Sequence, residues 1–245
     1  AARGVAGVGR GRREWVGAVE GLGAGVGVCA AGSGGPGREG VWNVVAEGME
    51  RAATVFRCDS GTESVEGACQ LAAALRKGRD EIIAARRGFH GRSCGSLGLT
   101  FNPKYRAPFA SFIHAAKHYA PEEIPEKITD ATLAVFIEPV QGEGGVYPIP
   151  EEVGRAITEA CRAHGTLLVA DEVQTGLGRC GSFFASYRHG LEPDIIPVAD
   201  APPAALPARA AARRLQPGDV PPPPPRPPPR TPQPAHHAPR PPPRT

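Results

Sequence analysis

Long apolar runs are missing from this sequence. None approaches the roughly 18 residues that a membrane-spanning helix needs, and no secretory signal is visible. These absences argue against a membrane partner, and we expect a cytoplasmic protein. The mitochondrion is the alternative, because four arginines with few acidic neighbours are typical of a targeting arm, although the surrounding glycines oppose a helix. The four are Arg3, Arg10, Arg12 and Arg13.

Paired and clustered cysteines are missing as well. The six cysteines lie at wide and irregular spacing, with no CxxC pair and no Cys/His array of the kind that binds zinc. We therefore predict reduced thiols inside a cell and no metal site. The six are Cys29, Cys58, Cys69, Cys94, Cys161 and Cys180.

A concentrated positive charge is the third feature that the sequence lacks. The formal net charge is only +3, and much of the excess comes from arginines in a Pro-rich stretch at the end. Nucleic-acid binding requires a basic face on the folded part of a protein, and none shows here. We predict no nucleic-acid partner.

Composition divides the chain into three zones. Residues 1–45 are rich in glycine and alanine without a sustained period, so we interpret them as poorly specified structure. Residues 46–200 alternate short apolar runs with helical stretches. Residues 201–245 are dominated by proline and arginine and offer few apolar side chains to bury, which predicts a disordered, extended tail. Because the chain begins without Met, we interpret it as a fragment.

The central zone predicts an α/β core. Helical patterns cover Glu63–Lys77 and Glu151–His164, and short apolar runs typical of strands lie between and around them. Buried strands that alternate with helices indicate a mostly parallel sheet with helices on both faces. The strands are predicted at Thr54–Cys58, Glu81–Ala85, Leu133–Ile137, Thr166–Ala170 and Asp194–Val198, the last weakened by Pro197.

Polar motifs follow several of these strands, at the sheet edge where α/β proteins bind ligands. Ser60, Gly61 and Thr62 lie between a strand and a helix, where free backbone N–H groups and the helix dipole favour an anionic phosphate. The alternative is an ordinary helix N-cap with Glu63 in the first turn.

The segment GFHGR follows the second predicted strand. Phe89 lies close to glycines and can approach a flat ligand, and Arg92 can bind a carboxylate through two hydrogen bonds. The alternative is a packed Phe89 and a solvated Arg92.

Carboxylates follow two other strands. Asp171 comes directly after TLLVA, where a partly buried carboxylate requires a cationic partner such as a pyridinium N–H. A helix cap or a metal ligand is the alternative reading. Glu138 and Glu143 belong to the glycine-rich loop EPVQGEGG, which can bring two carboxylates to the same crevice. The alternative is an ordinary glycine-rich turn.

Five motifs together resemble one known family. CDSGTESVE, GFHGRS, FIEPVQGEGG, LLVADEVQTGLGR and EPDIIPVA occur in the order and approximate spacing of the class III pyridoxal-phosphate (PLP) aminotransferases. GSLGLTFNPKYRAPF resembles the acetylornithine and acetyl-lysine enzymes of the acetylornithine/ornithine branch. The resemblance covers residues 46–199 and implies the large-domain core of a fold type I PLP enzyme, incomplete here, from a family of homodimers.

The resemblance implies PLP as the cofactor and assigns residues to its phosphate and to one ring face. Gly61 and Thr62, which follow Ser60, would bind the phosphate through backbone groups and the Thr62 hydroxyl. Phe89 would stack on the pyridine ring.

Further residues are assigned to the rest of the ring and to the substrate. Asp171 would pair with the pyridine nitrogen, Val173 would press on the ring and Gln174 would hydrogen-bond the ring hydroxyl. Arg92 would bind the substrate carboxylate. Glu143 resembles the gating glutamate that helps to separate ω-amino substrates from glutamate.

The family pattern breaks at its last motif. In the family the strand after Pro-Asp-Ile ends in Ala-Lys, and that lysine holds PLP covalently and moves protons. The corresponding pair here is Ala199-Asp200, and residues 201–245 contain no lysine. A carboxylate cannot form the covalent bond, so we expect this chain to be inactive as it stands.

Transamination of an ω-amino substrate is the activity that the resemblance implies. The donor would be N-acetylornithine or ornithine and the acceptor 2-oxoglutarate, in arginine biosynthesis; acetyl-lysine and 4-aminobutyrate stay open as donors. Aminomutases, decarboxylases and racemases share the Asp171 and phosphate motifs. The alternative function is a non-catalytic PLP-binding pseudoenzyme, or an interaction protein whose PxxP segments dock on aromatic grooves.

Overall fold

A seven-stranded parallel sheet organises the protein. The computed structural model describes residues 26–31, 53–58 and 60–199, and the predictions about the proline-rich tail and Asp200 concern residues outside these ranges. The strands of this sheet are β1 (Val26–Ala31), β2 (Ala53–Cys58), β3 (Glu81–Ala85), β4 (Lys117–Tyr119), β5 (Thr132–Ile137), β8 (Leu167–Ala170) and β9 (Ile195–Ala199). Their order across the sheet is β2-β1-β9-β8-β5-β3-β4, and every neighbouring pair is parallel. A separate antiparallel ribbon pairs β6 (Val140–Gln141) with β7 (Tyr147–Pro148).

Helices and turns connect the strands. The α-helices are α1 (Gly61–Leu75), α2 (Cys94–Leu99), α3 (Pro103–Arg106), α4 (Ile124–Lys127) and α5 (Glu151–His164). Three short 3₁₀ segments lie at Ala107–Phe109, Pro121–Glu123 and Ser186–His189. None of the helices in the described part of the chain is both long and apolar enough to span a lipid bilayer.

The two long helices cover opposite faces of the sheet. Alternate residues of a strand point to opposite faces, so Phe136 packs with α1 residues such as Leu71, while Val135 packs with α5 residues such as Ile157. All six residues of β5 are buried, as expected for a central strand with helices on both sides. The predicted α/β fold class is confirmed.

The ends of both helices follow local rules. Ser60 precedes α1, and its side chain accepts a hydrogen bond from the backbone N–H of Glu63 at 3.4 Å. At the end of α5, Gly165 has φ 60°, a left-handed conformation that glycine adopts without a steric cost. The helix therefore ends at His164, as the sequence predicted, and β8 begins at Leu167.

The five predicted strands and two predicted helices are present, with small differences at their ends. Four strands were not predicted: β4, β6 and β7, which are two or three residues long, and β1, which lies inside the segment 1–45 that the sequence indicates as poorly specified. VGVCAA is a short apolar run between glycine-rich flanks, so its strand character depends on β2 and β9, which pair with it on both sides. Pro197 is tolerated in the middle of β9, where its carbonyl accepts from the backbone N–H of Glu172 at 2.9 Å.

Gly154 provides a test of how α5 packs against the 3₁₀ segment Ser186–His189. A Cβ at this position would lie 1.8 Å from the carbonyl oxygen of His189. Replacing glycine by alanine inside a helix normally stabilises it by up to about 1 kcal/mol, but overpacking costs about 1–3 kcal/mol. We therefore expect Gly154→Ala to lower the free energy of unfolding, measured with urea. The control Glu159→Ala changes an exposed residue of the same helix and should stay within about 0.5 kcal/mol of the starting protein. A stabilised Gly154→Ala protein would contradict this packing.

Candidate active site

The carboxyl ends of β3, β5, β8 and β9 meet at one edge of the sheet, because these strands are neighbours and parallel. The segments that follow the first three carry His90, Glu138 and Asp171, and the first turn of α1 approaches the same edge. The edge therefore collects the polar motifs that the sequence distributes over more than a hundred residues.

Asp171 is the centre of this edge. It follows β8 directly and is 3% exposed. Its Oδ2 accepts a hydrogen bond from Nδ1 of His90 at 2.7 Å, and its Oδ1 accepts from the backbone N–H of Val173 at 3.1 Å. Since a buried carboxylate is costly without partners, these two bonds fix its position.

His90 is a functional candidate that the sequence reasoning missed. Its side chain is fully buried, edge-on to the ring of Phe136, and its Nε2 has no hydrogen-bond partner among the described residues. Burial by itself lowers the pKa of His90, but the hydrogen bond from its ring to Asp171 and the charges of Asp171 and Glu138 outweigh burial and raise it. The sequence feature that could have indicated this role is the position of the histidine between Phe89 and Gly91, in the loop that follows β3.

Glu138 is a second buried carboxylate beside this pair. Its Oε2 accepts from the backbone N–H of Phe89 at 2.9 Å, and Oε1 has no partner among the described residues. Burial and, to a smaller extent, the charge of Asp171 raise the pKa of Glu138 from 4.5 to about 7, although His90 opposes the shift. The carboxyl group therefore gains a proton more readily than an exposed glutamate does.

The first turn of α1 lies beside the loop after β8 and the end of β9. A Cβ on Gly61 would lie 2.8 Å from Cγ1 of Val173 and 3.6 Å from Cβ of Ala199. A side chain at position 61 would crowd Val173 in the loop after β8, whereas its distance from Ala199 at the end of β9 would be an ordinary contact. Ser60, Gly61 and Thr62 are each partly exposed, which leaves the end of the helix open to a ligand.

The glycine-rich loop after β5 reaches the loop after β8. A Cβ on Gly142 would lie 2.3 Å from Oε1 of Gln174, so the Gln174 amide rests on the backbone of the loop. Glu143, the next residue, is exposed and its Oε1 accepts from the hydroxyl of Tyr105 at 3.1 Å.

Tyr105 connects Glu143 with the aromatic residue of the site. Its ring lies edge-on to Phe89, with ring centroids 5.8 Å apart. The stretch that contains Tyr105 contributes to the resemblance to the acetylornithine enzymes, but the resemblance implies no role for Tyr105 itself. Arg92 lies further along the same loop as Phe89 and is exposed.

Comparison with known proteins identifies the family. The sequence pattern of the family described as Aminotransferase class-III matches residues 42–226. The chain belongs to this family. The match extends beyond residue 199, where the motif resemblance ended.

Individual relatives carry more specific names. The chain is 43% identical over 174 residues to the acetylornithine aminotransferase of Methanopyrus kandleri, covering 67% of this chain and 44% of the relative. It is 42% identical over 165 residues to the mitochondrial acetylornithine aminotransferase of Neurospora crassa, covering 63% and 36%. The chain thus spans less than half of the length of these relatives.

A solved structure shows the same fold. The ornithine aminotransferase of Toxoplasma gondii, described with partial occupancy of PLP at its active site, matches with a TM-score of 0.52 and 26% identity, covering 57% of this chain and 36% of that one. The expected fold type I transaminase core is confirmed.

The residues at the carboxyl ends of these strands fit PLP, the cofactor of the family. Asp171 is a buried acceptor beside a histidine with an unpartnered nitrogen, which suits a protonated ring nitrogen. Gly61 lacks the side chain that would crowd the end of α1, which suits a phosphate. Phe89 is partly exposed and presents an aromatic ring at the same edge.

The raised pKa of Glu138 gives a pH-dependent stability that can be measured. A pKa of about 7 in the folded protein against 4.5 means that the folded state binds more protons, so the stabilising contribution is complete below pH 4.5 and is lost as the pH rises through 7. Glu138→Gln keeps an acceptor for the Phe89 N–H and cannot ionise. At pH 8 we expect the variant to exceed the starting protein by up to about 3 kcal/mol in free energy of unfolding, and at pH 4.5 the two should be alike.

Urea unfolding at pH 4.5, 6 and 8 measures this difference. Glu126→Gln, which changes an exposed carboxylate, is the control and should follow the starting protein at each pH. If the difference in free energy of unfolding between Glu138→Gln and the starting protein is the same at all three pH values, the buried carboxyl is not the titrating group.

Proposed function

We propose that this chain is the cofactor-binding part of a PLP-dependent aminotransferase that acts on N-acetylornithine or ornithine, with a 2-oxo acid such as 2-oxoglutarate as the amino acceptor. The observation that carries this proposal is the buried Asp171–His90 pair at the carboxyl end of β8, opposite the open end of α1. The names of the relatives from M. kandleri and N. crassa support the donor. By the family relationship we also propose a homodimer, in the cytoplasm or, as in N. crassa, the mitochondrion.

Cofactor binding divides among four parts of the site. Backbone N–H groups of Gly61 and Thr62, beside Ser60, would bind the phosphate, and Phe89 and Val173 would enclose the ring. Gln174 lies on the loop that reaches the ring hydroxyl. PLP, when bound, supplies an electron sink for the carbon that carries the transferred amino group.

Asp171 and His90 keep that electron sink effective. The Asp171 carboxylate would accept a hydrogen bond from the protonated ring nitrogen, and His90 holds that carboxylate in place through its Oδ2. Because both groups are buried, water does not compete for these bonds.

Substrate recognition falls to the exposed charged residues of the edge. Arg92 binds the substrate carboxylate, because a guanidinium matches a carboxylate with two hydrogen bonds. Glu143 is held by Tyr105 at the mouth of the site, where its carboxylate can attract or repel the distal charge of a substrate.

Asp200 limits what this chain can do. It occupies the position of the lysine that bonds covalently to PLP in the family, and the lysines of the chain lie elsewhere: Lys77, Lys104, Lys117 and Lys127. Asp200 therefore favours a second candidate function, a protein that binds PLP without completing transamination.

Reduction with borohydride tests the proposal and the role of residue 200 together. We expect the starting chain to bind PLP that is released on dialysis, with no adduct after borohydride treatment. Asp200→Lys should give an adduct that resists dialysis, because the lysine amine can bond to the cofactor aldehyde. Absorbance spectra and peptide mass spectrometry measure the adduct and its position.

Asp80→Lys is the matched control, since Asp80 precedes β3 and lies at the opposite edge of the sheet. It should acquire no adduct at residue 80. An adduct on the starting chain would show that another lysine serves, and no PLP binding by either the starting chain or Asp200→Lys would contradict the proposed function.

A further inference from the structure

Glu172 is a buried carboxyl group next to Asp171 in the chain. It is 1% exposed, and burial raises its pKa, although hydrogen bonds oppose the shift. Asp171 bonds to His90, whereas the Glu172 side chain reaches the 3₁₀ segment Ser186–His189. The two successive carboxyl groups therefore bind different parts of the structure, and a buried carboxyl group requires partners for both of its oxygens.

Both oxygens of Glu172 have a partner. Its Oε2 accepts a hydrogen bond from the hydroxyl of Thr175 at 2.5 Å, and its Oε1 accepts from the backbone N–H of Ser186 at 2.6 Å. Thr175 and Ser186 are buried as well, so water does not compete for these bonds. The side chain thus joins the beginning of the loop after β8 to the 3₁₀ segment near its end.

The backbone of Glu172 is fixed at the same point. Its N–H donates to the carbonyl of Pro197 in β9 at 2.9 Å, and its own carbonyl accepts from the N–H of Gly176 at 2.8 Å. A Cβ on Gly176 would lie 2.9 Å from that carbonyl oxygen, so a side chain at position 176 would crowd this turn. Residues 172–176, the 172–176 turn, are therefore closed by a backbone bond and by the bond from Thr175 to the Glu172 side chain.

The 172–176 turn carries two residues that face the candidate site. Val173 contacts the first turn of α1, since a Cβ on Gly61 would lie 2.8 Å from its Cγ1. The Gln174 amide rests on the glycine-rich loop after β5. Because both residues lie between Glu172 and Thr175, the bond that joins those two side chains fixes the backbone from which Val173 and Gln174 project.

We propose that Glu172 is a positioning residue, which holds Val173 and Gln174 at the cofactor ring by joining Thr175 to the backbone of Ser186. The inference rests on the proposed function, because that function places the PLP ring beside the 172–176 turn. Glu172 acts through the turn and makes no contact with the cofactor. Loss of its bonds should therefore weaken cofactor binding through the two ring-facing side chains.

Thr175→Val tests this role, because it removes the hydroxyl that Glu172 binds and keeps the shape of the side chain. We expect the dissociation constant for pyridoxal 5′-phosphate to rise by about tenfold, the effect of one hydrogen bond. Thr175→Ser keeps the hydroxyl and should bind the cofactor like the starting chain. Isothermal titration calorimetry on the full chain measures these constants, and an unchanged constant in Thr175→Val overturns the inference.

Ser182→Ala is the matched control for a lost hydroxyl. Ser182 lies in the same loop, and its hydroxyl donates to the carbonyl of Phe184 at 2.8 Å without contacting Glu172. The dissociation constant of this variant should stay within about twofold of the starting value. A loss as large as that in Thr175→Val would show that any lost hydroxyl in the loop has this effect, against a specific role of Glu172.

Glu172→Gln separates the joining bonds from the charge. The amide oxygen can accept from the Ser186 N–H, and the amide NH₂ group can donate to the Thr175 oxygen. The variant keeps both connections, so we expect it to bind pyridoxal 5′-phosphate like the starting chain. A loss as large as that in Thr175→Val would assign the effect to the charge of Glu172 and overturn the inference.

A double-mutant comparison distinguishes positioning from general destabilisation. In a chain that carries Val173→Ala and Gln174→Ala, both ring-facing side chains are removed. Thr175→Val should then change the dissociation constant for pyridoxal 5′-phosphate by less than about twofold, because the residues through which it acts are absent. An equal loss in both backgrounds would show that Thr175 acts through the fold as a whole, which overturns the positioning role.

Amide hydrogen exchange without ligand tests the turn directly. The N–H of Val173 donates to Oδ1 of Asp171, and the N–H of Gly176 donates to the Glu172 carbonyl, so both amides report on the turn. Their exchange should accelerate by about tenfold in Thr175→Val. 

Failure of the inference and failure of the proposed function give different results. Val135 and Leu168, in the centre of the sheet, should keep their protection from exchange and so report an intact fold. Unchanged exchange at Val173 and Gly176 in Thr175→Val overturns the inference. Accelerated exchange together with no pyridoxal 5′-phosphate binding by the starting chain overturns the proposed function and confines Glu172 to holding the turn.

Discussion

Burial of the Asp171 carboxylate is the constraint on which the candidate site depends. A carboxylate at the end of a central strand has lost most of its contact with water, and this loss is tolerable only where other groups supply hydrogen bonds. His90 supplies one bond and the backbone of Val173 the other. To place His90 there, the loop after β3 must fold across the ends of β5 and β8. The position of Phe89 and the burial of Glu138 beside it follow from the same fold.

Close contact between backbone segments is the second requirement, and glycines permit it. Gly61 admits Val173, and Gly142 admits the amide of Gln174, so segments far apart in sequence touch around one crevice. The same device operates at Gly91, which admits the hydroxyls of Thr62 and Ser96. The candidate site is thus a set of loops held by short polar contacts at the carboxyl ends of the parallel strands, where α/β proteins bind ligands.

Much of the fold could be predicted because local patterns and tertiary environment agree. TLAVFI and LLVA are continuous apolar runs, and both became central strands with every residue buried. The stripe of Val153, Ile157 and Cys161 predicted α5, and Gly165 predicted its end. β1 was missed because a six-residue run of small apolar residues carries no period of its own, and only pairing with β2 and β9 makes it a strand.

The sequence by itself determined the family, the parallel α/β core and the residues at the strand ends, because short motifs and hydrophobic periods are written in consecutive residues. The resemblance to the family also predicts that Asp200 stands at the position of the family's lysine. Only the tertiary structure decided that His90 pairs with Asp171, that Glu138 is buried beside them and that Glu172 accepts from the backbone of Ser186. Those contacts join residues 14 to 81 positions apart, and no local rule of sequence specifies which distant partner a buried polar group will meet.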